Sequence, residues 1–98
     1  MASSKEFLDF VLWQLHDLPD ITYRAMMGEF IIYYHGKIIG GIYDNRLMIK
    51  PTKSGQLVVP DANMEPPYPG AKPMIVIADV EDSKLLQDVF NATFAELA

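Results

Sequence analysis

The spacing of apolar positions changes along the chain. Phe7, Leu8, Val11, Leu12, Leu15 and Leu18 fall three and four apart, one wide stripe of an amphipathic helix. Ser3 with Glu6 three positions on predicts a capping box at its start, and Leu18-Pro19-Asp20 ends it. Trp13 lies off the stripe, so it either caps the edge of the core, the favoured reading, or touches a neighbour. From Ile21 onward the pattern is that of strands. Residues 21–26, 29–34, 37–43 and 46–50 read as four strands, turning at Met27-Gly28, His35-Gly36 and Asp44-Asn45, with Pro51 closing the last. Residues 52–59 stay open: Thr52 could cap a short helix, but Gly55 and two valines weaken it. Residues 60–73 hold five of the seven prolines and predict an ordered, extended loop anchored by Met64 and Tyr68. Residues 74–78 form a continuous apolar strand. Leu85, Leu86, Val89, Phe90, Phe94 and Leu97 mark a last helix over 83–97, and the acids just before it suit its dipole. The order is α-β-β-β-β-(short α)-β-α. It predicts an α+β domain with a mostly antiparallel sheet of about five strands and helices segregated to one side.

Residues 29–43, EFIIYYHGKIIGGIY, are apolar at nearly every position. A strand with one wet face should alternate. Strict alternation from two-residue turns pairs Tyr34 with Lys37, Ile32 with Ile39, Phe30 with Gly41, and Gly41 with Met48. One face then collects Ile31, Tyr33, Ile38, Ile42, Leu47 and Ile49, and suits the helices. The other collects Phe30, Ile32, Tyr34, Ile39, Tyr43 and Met48, with Lys37, Arg46, Lys50 and Lys53 as a charged rim. Two long helices rarely cover both sides of such a sheet. The second face is therefore expected to bind a partner, most simply a second copy in a homodimer. The alternative is that residues 60–73 or 52–59 fold over it.

Length and composition narrow the functional classes. Ninety-eight residues make one domain, 1–98, and half of them are hydrophobic. The formal net charge is −5, yet residues 22–53 carry five bases against two acids. That basic island is too weak for direct nucleic-acid binding, where phosphate contacts supply much of the affinity. There is no cysteine, so disulfides and thiolate chemistry are excluded. No apolar run reaches the roughly 20 residues a membrane helix needs, and the first residues do not read as a signal peptide. A cytoplasmic location is expected. His16 and His35 lack zinc-ligand spacing, and Asp79, Glu81 and Asp82 lack a calcium-loop pattern, so neither metal nor cofactor is expected. Arg46, Lys50 and Lys53 could hold a phosphate, but a solubilising rim is the commoner explanation. The alternative to an interaction module is a small-molecule binder or an enzyme. Its pocket would lie beneath the 60–73 loop, near Tyr23, Arg24, Glu29 and Tyr68.

Four strings occur in order along nearly the whole chain: Tyr23-Arg24-x-Met26-Met27-Gly28-Glu29, Gly40-Gly41-Ile42-Tyr43-Asp44, Lys50-Pro51-Thr52, and Glu65-Pro66-Pro67-Tyr68-Pro69-Gly70-Ala71-Lys72-Pro73-Met74. Together they resemble the N-terminal domain of the TfoX/Sxy family. The resemblance implies a small α+β domain akin to secretion-chaperone-like folds, which tend to dimerise. It also implies a link to bacterial competence, in which members act with the cyclic-AMP receptor protein as transcriptional co-activators. A transcription factor is thus a further expected partner. Longer members carry a second, helical C-terminal domain, and this sequence ends after its last predicted helix. The family brings no catalytic residues to carry over, so a non-enzymatic regulatory module is expected.

Overall fold

The computed structural model describes residues 3–98. Helix α1 (Lys5–Gln14) leads into four strands: β1 (Ile21–Met26), β2 (Glu29–Tyr34), β3 (Lys37–Tyr43) and β4 (Arg46–Ile49). A short helix α2 (Lys53–Val58), strands β5 (Met64–Glu65) and β6 (Met74–Ile77), and helix α3 (Ser83–Leu97) complete the chain. The sheet is antiparallel throughout, in the order β1-β2-β3-β4-β6-β5. It has six strands, because the Pro-rich segment contributes the two-residue β5 at an edge. The α+β architecture with terminal helices is the one the periodicity predicts.

Local chemistry accounts for the boundaries. All three hairpin turns place both central residues at positive φ: Met27-Gly28, His35-Gly36 and Asp44-Asn45. That conformation matches the right-handed twist of paired strands. Asp44-Asn45 therefore turns like the two glycine-bearing pairs, since Asp and Asn tolerate the left-handed region. The cap of α1 is Ser4, not Ser3: the Ser4 hydroxyl accepts from the Phe7 N–H at 3.2 Å. Ser3 has other work. Its hydroxyl donates to Glu29 Oε1 at 2.5 Å and accepts from the Asn45 N–H at 3.0 Å, while Asn45 Oδ1 accepts from the Ser4 N–H at 2.8 Å. These bonds tie the start of α1 to the β3–β4 turn. Thr52 does cap α2, accepting from the Gly55 N–H at 3.0 Å. Asp82 caps α3, accepting from the Leu85 N–H at 3.0 Å.

A single core lies between the helices and one face of the sheet. Leu8, Val11 and Leu15 of α1 and its exit meet Leu86, Val89 and Phe90 of α3 over Ile32, Tyr34, Ile39, Ile42, Leu47, Ile49, Ile75 and Ile77. Each fully buried side chain of this size contributes ~2 kcal/mol of transfer free energy. The Tyr34 hydroxyl satisfies itself by donating to Asn91 Oδ1 on α3 at 2.7 Å. Helix α2 packs on α3, where Gly55 leaves no room for a side chain: a Cβ there would lie 2.9 Å from both Thr52 Oγ1 and Thr93 Oγ1.

Candidate functional site

The two faces of the sheet are decided by one irregularity. Tyr34 pairs with Lys37 and Tyr33 with Ile38, as strict alternation predicts. The register then shifts, so that Ile32 pairs with Gly40, Ile31 with Gly41 and Phe30 with Ile42. Ile39 is the extra residue of a β-bulge. A one-residue shift moves all that follows to the other side. Phe30, Ile32, Tyr34 and Ile39 consequently join Ile42, Leu47 and Ile49 on the helix face, and Ile32 and Ile39 have no exposed surface. Ile31, Tyr33 and Ile38 lie on the opposite, helix-free face with Tyr43 and Met48. Of the six residues expected to form a partner-binding face, Ile32, Tyr34 and Ile39 are core, Phe30 packs against the core, and Tyr43 and Met48 face away from the helices. Neighbours approach closely at Gly40 and Gly41: a Cβ on Gly40 would sit 2.1 Å from the Met48 carbonyl oxygen, and one on Gly41 would sit 2.5 Å from the Phe30 carbonyl oxygen and 2.8 Å from the Tyr43 ring.

The helix-free face is itself divided. Over β3 and β4 it is covered by the Pro-rich segment. Arg46 donates to Glu65 Oε1 at 2.6 Å, and the Tyr43 and Tyr68 rings lie 6.5 Å apart. Met48, two residues along β4 from Arg46 on the same face, is fully buried, although it stands outside the helix-side core. The buried anchor of the loop is Pro67; Met64 and Tyr68 are exposed. A groove of 430 Å³ remains beneath the loop, bordered by Ile38, Tyr43, Lys50, Tyr68, Lys72 and Met74. Burial, and then the neighbouring Tyr68 and Glu29, hold the Tyr43 phenol above its ordinary pKa. The rim cations separate: Arg46 is engaged by Glu65, Lys53 begins α2, and Lys37 and Lys50 stand together beside Leu97.

The residues expected around one pocket do not converge. Tyr68 borders the groove, but Tyr23 and Arg24 are on β1 at the far edge of the sheet, on opposite faces. Glu29 is occupied by the Ser3 hydroxyl and by the Asp44 N–H, the latter at 3.0 Å. The histidines are local. His16 stacks on Trp13 with centroids 4.4 Å apart, and His35 lies 3.4 Å from Asp20.

Periodicity missed where the exposed apolar groups gather. Among the described residues, five of the nine large exposed hydrophobics belong to β1, its turn and α1: Tyr23 and Met26 on the strand, Met27 in its turn, and Phe10 and Trp13 on the helix. Every β1 residue after Ile21 is exposed. A second groove, of 570 Å³, runs between α1 and β1, lined by Leu12, Leu15, His16, Leu18, Ile21 and Tyr23. The available signal was Trp13 off its helical stripe, next to a strand whose one charged residue is Arg24.

Comparison with known proteins supplies the remaining constraint. The sequence profile of the TfoX N-terminal domain matches residues 13–95. A protein of Spirochaeta aurantia, described as an uncharacterized 12.7 kDa protein in the trpE 5' region, is 34% identical over 98 residues, covering 99% of this chain and 85% of its own length.

Proposed function

The chain belongs to the TfoX N-terminal domain family, and from that premise we propose that it is a non-enzymatic interaction module that dimerises in a competence-related regulatory role. The family suggests the regulatory setting. The observation that carries the interaction reading is the gathering of exposed apolar side chains around β1. Isolated surface hydrophobics need no explanation, but several of them on and beside one open edge strand suit a contact site. It replaces the surface expected from strict alternation, whose Ile32, Tyr34 and Ile39 lie inside the core. A transcription factor is the second partner on this reading, reached from the assembled dimer.

Sedimentation equilibrium over a concentration series tests self-association. The expected result is a mass of two chains that falls to one on dilution. A single-chain mass at every concentration removes the dimer from the proposal.

A second reading keeps a small-molecule site, favoured by the 430 Å³ groove beneath the Pro-rich loop. Its charged side chains, Lys50 and Lys72, are both cations, and the Tyr43 and Tyr68 hydroxyls can donate, which suits an anionic ligand with an apolar body.

A further inference from the structure

We propose that two copies join through the outer edge of β1, the strands running antiparallel about Tyr23 so that one sheet continues into the other. This rests on the reading of the chain as a self-associating module, and it specifies the surface and register.

Strand β1 is an edge of the sheet, and its far counterpart β5 is only two residues long. Six residues of β1 are paired on one side by β2 in an unbroken register. Among the described residues, no backbone hydrogen bond outside that ladder reaches residues 21–26. Proteins blunt such edges with proline, charged side chains (lysine above all), bulges or a covering segment. The sequence ITYRAM contains neither proline nor lysine, its one charge is Arg24, and five of its six residues are exposed. The edge is open along its length.

The strand is also complementary to itself in one register. A two-fold axis perpendicular to the sheet keeps helix layers on the same side, so paired residues must share a face. Three centres are available near the middle of the strand. Centring on Arg24 sets two guanidinium groups directly opposite, which is destabilising. Centring on Thr22 draws Asp20 into the ladder, and Asp20 is held in a turn at φ 62°. Centring on Tyr23 pairs Ile21 with Ala25 of the partner subunit and Thr22 with Arg24 of the partner subunit, all within the strand. Apolar residues then meet on the helix side and polar residues on the other. Each Tyr23 ring already packs edge-on against Phe30 at 6.0 Å and 78°. The seam would thus carry a row of four aromatic rings.

Strand pairing alone is too small. A standard interface buries about 800 Å² per partner, and five paired residues span only about 17 Å. The helix layer must supply the rest. Phe10 and Trp13 are one turn apart on α1, and they are 41% and 66% exposed. Trp13 stacks on His16, which lines the groove beside β1. These side chains extend the apolar contact from the strand onto the helix.

The chain has no cysteine of its own, so introduced thiols report the register directly. In an antiparallel pair, facing Cα atoms lie about 4.5–5.5 Å apart, within disulfide reach. Under mild oxidation Tyr23→Cys is expected to run mostly as a covalent dimer on a non-reducing gel. Thr22→Cys and Arg24→Cys are expected to stay uncrosslinked alone and to form a mixed dimer when combined; both positions are exposed, so folding is retained. Efficient crosslinking of Arg24→Cys or Thr22→Cys alone would overturn the Tyr23 register. A sedimenting dimer with no crosslink from any of the three would overturn the β1 edge while leaving the interaction reading intact. A monomer at every concentration would overturn both.

Discussion

Glu96 shows how much one exposed side chain can organise. It lies on the last turns of α3, and its carboxylate accepts the Ser54 N–H at 2.9 Å and the Lys53 N–H at 3.2 Å. Those are orphan donors at the start of α2, which otherwise has only the Thr52 hydroxyl as a cap. The Ser54 backbone bond is the main reason Glu96 is held below the ordinary carboxylate range, followed by the Ser54 side chain; desolvation opposes them, and the Lys53 backbone and its charge add lesser pulls downward. A folded-state pKa below the unfolded one stabilises above the ordinary carboxylate range, and the gain is lost as pH falls through the folded value. Urea unfolding at about pH 7 and about pH 3 should therefore show a smaller acid loss for Glu96→Gln than for the natural chain. Equal losses would mean that Glu96 does not couple α3 to α2.

At the scale of elements, most of the fold was legible and one backbone defect was not. The spans 21–26, 29–34, 37–43 and 83–97 coincide with β1, β2, β3 and α3, because periodicity and turn residues act locally. The bulge at Ile39 is a compromise between strands and leaves no periodic trace. Its one sequence signal is Gly40-Gly41, since glycine inside a strand often marks a bulge or a close backbone approach. Missing it exchanged the faces of β2 relative to β4, and that put core residues on the expected partner-binding face. The bulge has a sharp consequence. Ile32→Asp places a carboxylate in the core, at a cost of several kcal/mol against a typical total of about 5–15, and should unfold the chain. Ile31→Asp, one residue away on the helix-free face, should retain the native circular dichroism spectrum. The opposite pattern would mean that the register runs through without a bulge.

At the scale of the molecule, the helix-free face is protected at one end and open at the other. The sequence offered the choice between a covering loop and a partner; the loop lies over β3 and β4, and β1 is exposed. Loop cover could not be read from the sequence, because it rests on distant pairs, Arg46 with Glu65 and Tyr43 with Tyr68, that no spacing announces. The methionines sample the two halves. Met27 is 97% exposed, Met26 is 48% and Met64 is 43%, whereas Met48 has no exposed surface. Oxidation of thioethers follows access. Under limiting peroxide, peptide mass spectrometry should find the sulfoxide first on Met27 and last on Met48. Glu65→Ala removes the carboxylate that holds Arg46 beneath the loop. A half-exposed ion pair of this kind is worth only up to ~1 kcal/mol, so the fold should survive while Met48 oxidises several-fold faster. If Met48 reacts as early as Met27 in the natural chain, the Pro-rich segment is not a lid on that face. The apolar area left for a partner would then extend from β1 across β4.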